Sequence, residues 1–278
     1  MRFLQELLEK QYGEKTTKEI IEGYQNKRKT TLRINTIKSN IEEIKNELKK
    51  EKIEYKQVKW SNETLIIENE DEKTIQQMDI YKEGKIYLQS LPSMIPPLVL
   101  APEEGDRVLD LTAAPGGKTT EIASIMNGKG YILANELDKL RCERLKYNVE
   151  MQGADIVEVV NGRGEKIGEN YKEQFDKVLL DAPCSGEGRF TIYNVQSYKQ
   201  WSMKTVNELV KTQKKLFKSA YEALKPGGTL VYSTCTLNKL ENCRTEVVVT
   251  FEESEWKAAR ADAFKKLAAK VEIKGFRK

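Results

Sequence analysis

The chain has 278 residues, with 47 Lys and Arg against 43 Asp and Glu, so its formal net charge is only +4. This length accommodates a catalytic domain with a smaller partner domain, and the charge alone is a weak indication of a polyanionic partner. No apolar run approaches the roughly 20 residues of a membrane-spanning helix, and the first turns carry acidic residues, unlike a signal peptide. We therefore expect a cytoplasmic protein with no membrane partner.

Histidine is absent, which excludes the usual general base, a common zinc ligand and any Ser-His-Asp or Cys-His device. Catalysis would therefore use Cys, Asp, Glu, Lys or Tyr. The four cysteines are Cys142, Cys184, Cys235 and Cys243. They show no Cys-x-x-Cys spacing, so the sequence predicts neither a disulfide framework nor a metal site.

The N-terminal part of the chain predicts a small α+β domain. Apolar residues recur at helical spacing over residues 1–27, and a basic segment then leads into an alternating strand at 30–36. Ser39 is placed to cap a charged helix. Two further strand-like runs follow, at 54–60 and 64–68.

A proline-rich apolar segment, residues 86–100, connects this domain to the rest of the chain. It predicts a short helix that is broken at Pro96 and packs beneath the next domain. We place the boundary near residues 80–85, which divides the chain into domains 1–82 and 83–278.

From Arg107 onward, short apolar strands alternate with amphipathic helices, which predicts an α/β fold with a parallel sheet covered on both faces. The expected strands begin near residues 108, 130, 156, 175 and 228, and the expected helices span 119–127, 138–152 and about 204–224. In this architecture the ligand lies at the carboxyl ends of the strands.

A glycine-containing loop, Asp110-Leu-Thr-Ala-Ala-Pro-Gly-Gly-Lys-Thr-Thr, follows the first of these strands. Gly116 and Gly117 let the backbone approach a ligand, and the N–H groups of the following helix favour an electronegative group. The loop is not a Walker motif, since Thr112 stands where that motif needs glycine, and Gly-x-Gly-x-x-Gly is also absent. Asp110 suits a cationic or hydroxyl-rich ligand. A tight turn without a ligand is the alternative.

Other strand ends carry candidate functional residues. Glu136 lies some 20 residues after the glycine loop, which suits a pair of ribose hydroxyls, although it could equally cap a helix. Cys184 and Cys235 follow two strands that would end at the same edge of the sheet. Either cysteine alone is more typical of a packed core, but their shared placement beside the Asp181 carboxylate indicates a reactive site.

Three motifs, at residues 110–119, 181–188 and 233–237, together resemble those of the RsmB/NOP2/Sun family of RNA 5-methylcytosine methyltransferases, and they occur in that family's order. The resemblance runs from about Lys29 to about Asn242. It implies a Rossmann-like methyltransferase domain preceded by a small α+β RNA-binding domain. The implied cofactor is S-adenosyl-L-methionine, and the implied substrate is RNA, ribosomal or transfer.

The resemblance also implies roles for individual residues. Cys235 corresponds to the nucleophile and Cys184 to the cysteine that assists product release, while Asp181 and Lys118 would contact the cytosine and cofactor side of the site. The implied cofactor-binding residues are Thr112, Ala113, Ala114, Pro115, Gly116, Gly117, Lys118, Glu136, Arg141, Asn161 and Asp181. No metal is implied.

Two of these cofactor contacts can be stated more closely. Glu136 would hold the ribose hydroxyls and Asn161 would lie by the adenine. Asn161 replaces the Asp usual in the family, but its side-chain oxygen can still accept from the adenine amino group.

Two basic segments are candidates for guiding RNA. The first is Lys27-Arg-Lys29 together with Arg33. The second is a row at helical spacing, Lys211, Lys214, Lys215 and Lys218, opposite an apolar row. This lysine row could equally be a solvated helix face.

Two other functions stay open at this point. A DNA cytosine methyltransferase would place its nucleophile in the Pro-Cys motif and use a Glu-Asn-Val element, which this chain lacks. A non-catalytic RNA-binding assembly factor is the second alternative. After Leu240 the sequence departs from the family pattern, with an expected helix over Trp256–Lys270 and doubtful final strands.

Overall fold

The computed structural model describes residues 2–242 and 247–250. The helix expected over Trp256–Lys270 lies outside the described residues. The helices are α1 (Arg2–Tyr12), α2 (Glu14–Gln25), α3 (Ile41–Lys50), α4 (Glu72–Gln77), α5 (Asp79–Lys82), α6 (Leu91–Leu100), α7 (Gly117–Ile125), α8 (Lys139–Met151), α9 (Gly164–Asn170) and α10 (Met203–Ala223). The strands are β1 (Thr31–Ile34), β2 (Tyr55–Gln57), β3 (Thr64–Ile67), β4 (Ile86–Leu88), β5 (Arg107–Asp110), β6 (Tyr131–Glu136), β7 (Val157–Asn161), β8 (Phe175–Asp181), β9 (Leu224–Ser233) and β10 (Val247–Thr250).

The N-terminal region contains an antiparallel sheet in the order β2-β3-β1-β4. Its core includes Leu32 and Ile34 of β1 and Ile44 and Leu48 of α3, all fully buried. Because apolar residues four apart lie on one helix face, α3 covers the sheet with that face and leaves its charged residues outside. The α+β prediction for this region is confirmed.

Two local expectations in this region need correction. The single helix expected over 1–27 is two helices, because Gly13, with φ 80°, separates α1 from α2. The cap of α3 is Asn40, whose side chain accepts from Glu43 N at 2.9 Å, and not Ser39. Asn and Ser are both good caps, so the sequence alone could not choose between neighbours.

The connector also differs from expectation. Helix α6 continues through Pro96 and Pro97 without a break. Pro97 cannot donate to the carbonyl of Ser93 four residues earlier, and Gln89 Nε2 donates to that carbonyl instead, at 3.1 Å. Ahead of α6, strand β4 pairs with β1, so residues 86–88 belong to the smaller sheet. The division at residue 82 stays a prediction.

The second sheet has the order β10-β9-β8-β5-β6-β7. Strands β5 to β9 are parallel and β10 is antiparallel to β9. The chain runs outward from β5 through β6 to β7 and then returns to β8 on the other side of β5. The order therefore reverses between β5 and β8, and ligands bind beyond the carboxyl ends of the strands at such a point. The α/β prediction is confirmed.

Buried polar contacts join the two sheets. Asn35, 1% exposed, donates from Nδ2 to Gly84 O and to Gln152 O, at 2.8 Å each. Arg33 of β1 donates from Nη2 to Thr120 Oγ1 of α7 at 3.1 Å. The smaller sheet thus rests directly on the helix that follows the glycine loop.

Among the described residues, no helix is both long and apolar enough to cross a membrane.

Candidate functional site

The side chains predicted for the site converge at the carboxyl ends of β5, β6, β7, β8 and β9. At the reversal of strand order, Lys118 at the start of α7 donates from Nζ to Asp181 Oδ2 at the end of β8, at 2.7 Å. Lys118 Nζ also donates to Ser93 Oγ of α6 at 2.9 Å. The Lys118 side chain is 15% exposed and that of Asp181 is 34% exposed. This ion pair is therefore accessible to a ligand, while its hydrogen bonds fix its position.

The glycine loop is fixed by contacts to its own backbone. Thr112 Oγ1 donates to Asp181 O at 2.8 Å, and Arg141 Nη2 donates to Ala114 O at 2.8 Å. Ala113 N–H donates to Asn135 O at 2.8 Å, which ties the loop to β6. Asn148 Nδ2 donates to Pro115 O at 2.7 Å. The Ala114 and Pro115 carbonyls are therefore held by side chains, and the shape of the loop is set before any ligand arrives.

Gly116 and Gly117 lie where a side chain would be tightly crowded. Gly116, with φ 109°, precedes the first turn of α7, and a Cβ there would lie 3.0 Å from Leu145 Cδ1. A Cβ on Gly117 would lie 3.1 Å from Tyr87 Cε1. The first amides of a helix have no carbonyl partner within the helix, so the start of α7 leaves backbone donors that a ligand could use.

Asp110 has a different place from the one expected. It is 1% exposed, and its Oδ2 accepts from Thr119 Oγ1 at 2.7 Å. Burial raises its pKa to about 6. A carboxyl group enclosed in this way cannot face a ligand in the crevice, so we assign Asp110 to holding α7 against β5.

Glu136 ends β6, and its side chain is 5% exposed. Its Oε1 accepts from Asp138 N at 2.9 Å, and its Oε2 lies 3.5 Å from Arg141 Nη2. The helix cap of α8 is Asp138, which accepts from Arg141 N at 2.8 Å. The capping role that was open for Glu136 therefore belongs to Asp138, and Glu136 keeps acceptor capacity for a ligand.

Asn161 ends β7, beside Glu136 in the register of the sheet. Its Nδ2 donates to Glu136 O at 2.7 Å and to Leu137 O at 3.0 Å. Two carbonyl partners fix the amide group with its nitrogen toward them. The side-chain oxygen of Asn161 is thus left available as an acceptor.

The two candidate cysteines are in direct contact. In the parallel register of β8 and β9, Asp181 lies opposite Ser233, so the loops that follow these residues run side by side. Cys184 Sγ lies 3.2 Å from Cys235 Sγ, and Cys235 N–H donates to Cys184 Sγ at 3.3 Å. Both residues are half-buried. The sequence prediction that the two thiols share one edge of the sheet is confirmed.

This contact separates the acidities of the two thiols. The hydrogen bond from Cys184 lowers the pKa of Cys235 to about 7, and the positive charges of Arg189 and Lys118 act in the same direction against burial and Asp181. The same hydrogen bond, burial and the charge on Cys235 raise the pKa of Cys184. Cys235 is therefore the thiolate of the pair near neutral pH, and Cys184 is the thiol.

A cluster of hydroxyls and carboxyls holds the two cysteine loops together. Ser185 Oγ donates to Glu187 Oε2 at 2.7 Å and contacts Glu241 Oε2, while Thr236 Oγ1 contacts the same two carboxyl groups. Ser185 N–H donates to Glu241 Oε1 at 2.9 Å. Glu187 is 1% exposed and Glu241 is 3% exposed. Because every member contacts residues from both loops, the cluster fixes the distance between the thiols.

Sequence reasoning missed several contributors to this site. Ser93 bonds Lys118, Ser233 Oγ donates to Asp181 Oδ1 at 2.8 Å, and Arg189 lowers the pKa of Cys235. Ser93 lies in the proline-rich connector and Ser233 begins the third motif, but nothing in their spacing distinguishes them from neighbouring serines. Arg189 directly follows the Asp181–Gly188 motif, and that position was the only available signal.

The basic residues fall into different environments. Arg33 is 3% exposed, so the expectation that it joins a surface patch is wrong. Its guanidinium points between the two sheets toward α7, where β1 packs. Lys29 pairs with Glu68 at 2.6 Å. The exposed lysines of α10 lie opposite its buried face, as expected, and these are Lys211, Lys214, Lys215 and Lys218.

The arrangement fits S-adenosylmethionine on chemical grounds. Such a molecule has an adenine amino group, two ribose hydroxyls and an amino acid end. The free acceptor of Asn161, the under-bonded carboxylate of Glu136 and the amide donors at the start of α7 lie at adjacent strand ends, where these three parts could be held. Within the described residues, Cys, Asp and Glu form no group of three or more with the geometry of a metal site.

Family models match most of the chain. The model for the 16S rRNA methyltransferase RsmB/F family matches residues 97–274, and the model for the RsmF/B-like ferredoxin-like domain matches residues 2–72. The N-terminal α+β domain is therefore of the ferredoxin-like type. Membership of a methyltransferase family supports S-adenosylmethionine as the cofactor.

Curated relatives agree with the models. The chain is 39% identical over 214 residues to ribosomal RNA small subunit methyltransferase F of Shewanella sp. strain ANA-3, a match that covers 76% of this chain and 44% of the relative. It is 40% identical over 215 residues to the protein of the same name from Vibrio atlanticus strain LGP32, covering 76% and 45%. The chain spans less than half the length of these relatives.

Solved structures share the fold over most of the chain. The crystal structure of PH0851 is 33% identical with a TM-score of 0.81, covering 92% of this chain and 56% of that one. A methyltransferase homolog protein from Pyrococcus horikoshii is 34% identical with a TM-score of 0.72, covering 83% and 72%. NSun6 from Pyrococcus horikoshii, at 24% identity and a TM-score of 0.76 over 86% and 84%, has the same fold. This chain belongs to the RsmB/F family of 16S rRNA methyltransferases.

Proposed function

We propose that this protein transfers a methyl group from S-adenosylmethionine to C5 of a cytosine in RNA, through a covalent bond between Cys235 and C6 of the base. The contact of 3.2 Å between Cys184 Sγ and Cys235 Sγ carries this proposal. It lies at the same strand edge as Glu136 and Asn161, which supports a base and a methyl donor meeting there. The names of the curated relatives support ribosomal RNA as the substrate.

The reaction calls for a nucleophile because C5 of cytosine does not readily attack a methyl group. The Cys235 thiolate adds to C6, which turns the ring into an enamine with electron density at C5. When bound, the cofactor would supply an electrophilic methyl group on its sulfonium; C5 would take this methyl as the methyl–sulfur bond breaks, which leaves the cofactor as a neutral thioether. Removal of the C5 proton then lets the ring expel the thiolate and regain its double bond. A pKa of about 7 keeps a large fraction of Cys235 as thiolate at neutral pH.

Cys184 can change its role during this sequence. Before the addition, its hydrogen bond to Cys235 and the charge on Cys235 raise the pKa of Cys184. Once Cys235 is bonded to carbon, that charge is gone, so the pKa of Cys184 falls. Cys184 can then release its own proton to solvent and, as a thiolate, accept the C5 proton close to the bond that must break. This sequence makes formation of the adduct the event that prepares its release.

Asp181 and Lys118 would hold the base. Ser233 and Lys118 occupy one oxygen each of the Asp181 carboxylate, but the side chain is still 34% exposed. A carboxylate can accept from the exocyclic amino group of cytosine, and the Lys118 ammonium can donate to a ring acceptor. These contacts would orient the ring so that C6 faces Cys235. Arg141 would act indirectly, because it donates to Ala114 O and so holds the loop that binds the cofactor.

The two domains would have different roles in the reaction. We propose that the ferredoxin-like domain binds RNA, while the larger domain holds the cofactor and the thiols. The target base must be unstacked or already single-stranded to reach Cys235.

Transfer of labelled methyl tests this proposal. Purified protein is incubated with methyl-labelled S-adenosylmethionine and RNA from cells that lack the protein, and the RNA is digested to nucleosides. The expected product is labelled 5-methylcytidine, and matched DNA should take up no label. Label in another nucleoside would contradict the C5 assignment, and no label despite cofactor binding would favour a non-catalytic assembly factor.

A further inference from the structure

A groove beside the site links the N-terminal domain to the cysteine loops. It has a volume of about 330 Å³ and is lined by Lys27, Arg28, Thr191 and Tyr193. The residues that line it therefore include two basic residues and one aromatic residue, and no acidic residue. Among the residues that the structure describes, neither Lys27 nor Arg28 has an ion-pair partner. This combination of unpaired positive charge and an aromatic ring is typical of surfaces that bind nucleic acid.

The groove is connected to the nucleophile through one residue. Arg28 Nη2 donates to Gly188 O at 2.9 Å, and Gly188 N–H donates to Cys235 O at 2.9 Å. The five residue steps from Gly188 to Tyr193 span at most about 18 Å. At 3.4 Å per nucleotide of a stacked strand, this is no more than about five nucleotides. If the target cytosine of an RNA strand lies at Cys235, the nucleotides within about five positions of it would therefore reach the groove.

The hydroxyl group of Tyr193 is fixed by a hydrogen bond, while its ring is exposed to solvent. The Tyr193 side chain is anchored by a hydrogen bond from its OH to Gln25 O at 3.0 Å, and Ile192 N–H donates to Tyr24 O at 3.1 Å. Tyr193 is nevertheless 66% exposed. A large ring with this exposure, pinned at its hydroxyl, is a preformed platform for a base.

We propose that this groove binds the single-stranded RNA next to the target cytosine, with Lys27 and Arg28 at its phosphates and one unpaired base stacked on Tyr193. This inference rests on the proposed function. Stacking requires a base that is out of a duplex, and RNA of defined sequence is commonly recognised in such unpaired segments. The substrate of the site would accordingly be a loop or an unpaired strand.

The test uses the full chain and a short fluorescent single-stranded RNA that contains cytosine, with anisotropy as the readout. Tyr193→Ala should weaken binding between about fivefold and a hundredfold, the range for one lost base stack. Tyr193→Phe removes the hydroxyl anchor but keeps the ring. Its affinity for the RNA should be much closer to that of the parent protein than the affinity of Tyr193→Ala is. Tyr147→Ala is the matched control, because Tyr147 on α8 is 60% exposed and lies outside the groove.

The salt dependence of RNA binding distinguishes phosphate contacts from base stacking. Lys27→Ala should lower the slope of log affinity against log salt by about 0.7, the value for one phosphate contact with a single strand. Tyr193→Ala should leave that slope unchanged. Binding to the same RNA annealed to its complement should not depend on Tyr193.

Several results would overturn the inference. Tyr193→Ala binding within twofold of the parent, an equal loss in Tyr147→Ala, or an equal loss on the annealed RNA would each do so. If the parent methylates RNA but these variants bind like it, the groove is wrong and the proposed function stands. If the parent transfers no methyl group while Tyr193→Ala still loses affinity, the groove stands and the proposed function fails.

Discussion

Cys184 Sγ lies 3.2 Å from Cys235 Sγ, at the tips of two neighbouring parallel strands. The hydrogen bond between them lowers the pKa of Cys235 to about 7 and raises that of Cys184. Two chemically identical side chains thereby acquire different protonation states. The relationship depends on both loops, because each thiol supplies part of the other's environment.

The reactivity of Cys235 should rise with pH through about 7. With its pKa at about 7, the thiolate fraction grows from about a tenth at pH 6 to about nine tenths at pH 8. Iodoacetamide alkylation of Cys235, followed by peptide mapping over this range, measures the midpoint. A midpoint near 9, the ordinary value for a thiol, would contradict the lowered pKa.

Arg189→Ala should move that midpoint upward, because the Arg189 charge favours the thiolate. The same alkylation series measures this shift. Arg144→Ala removes an exposed arginine from α8, away from the thiols, and should leave the midpoint unchanged. Equal behaviour of the two variants would show that Arg189 does not act on Cys235.

Glu136→Gln should weaken cofactor binding by about 1–3 kcal/mol, because hydrogen bonds from the ribose hydroxyls to a carboxylate are replaced by weaker ones. The amide oxygen can still accept from Asp138 N, so the local fold is kept. Calorimetry with S-adenosylmethionine measures the loss. Glu143→Gln, at an exposed position of α8, is the control, and unchanged affinity in Glu136→Gln would rule out the ribose contact.

Asn35→Ala should lower the free energy of unfolding by about 2–4 kcal/mol, because it leaves the buried carbonyls of Gly84 and Gln152 without their donor. Urea denaturation measures this loss. Asn26→Ala, at an exposed position after α2, should cost much less. A loss of similar size in both variants would mean that Asn35 does not join the two sheets in the way described.

The parallel sheet could be predicted from the sequence because the spacing of apolar residues and the positions of glycine and proline at the ends of elements are local properties. Short apolar runs, amphipathic helices and the glycine turn are each encoded by neighbouring residues. The convergence of Glu136, Cys184 and Cys235 then follows from topology, since parallel strands bring their carboxyl ends to one edge. This reasoning needs no knowledge of side-chain packing.

What the sequence could not predict depends on distant partners. Helix α6 continues through Pro97 because Gln89 donates to Ser93 O, a compensation that proline rules do not contain. Arg33 looked like part of a basic surface segment, but β1 pairs on both sides and directs it toward Thr120. The contribution of Arg189 to the acidity of Cys235 likewise requires two loops to be seen together.

The most direct measurement is the covalent adduct of Cys184→Ala with RNA. If Cys184 accepts the C5 proton, this variant should accumulate a protein–RNA bond that survives denaturation in the presence of S-adenosylmethionine, with peptide mapping placing it at Cys235. The double variant Cys184→Ala, Cys235→Ala should form no adduct. Cys142→Ala, which replaces one cysteine outside the site, is the matched control and should accumulate none. An adduct at another residue, or methylated product from Cys235→Ala, would contradict Cys235 as the nucleophile.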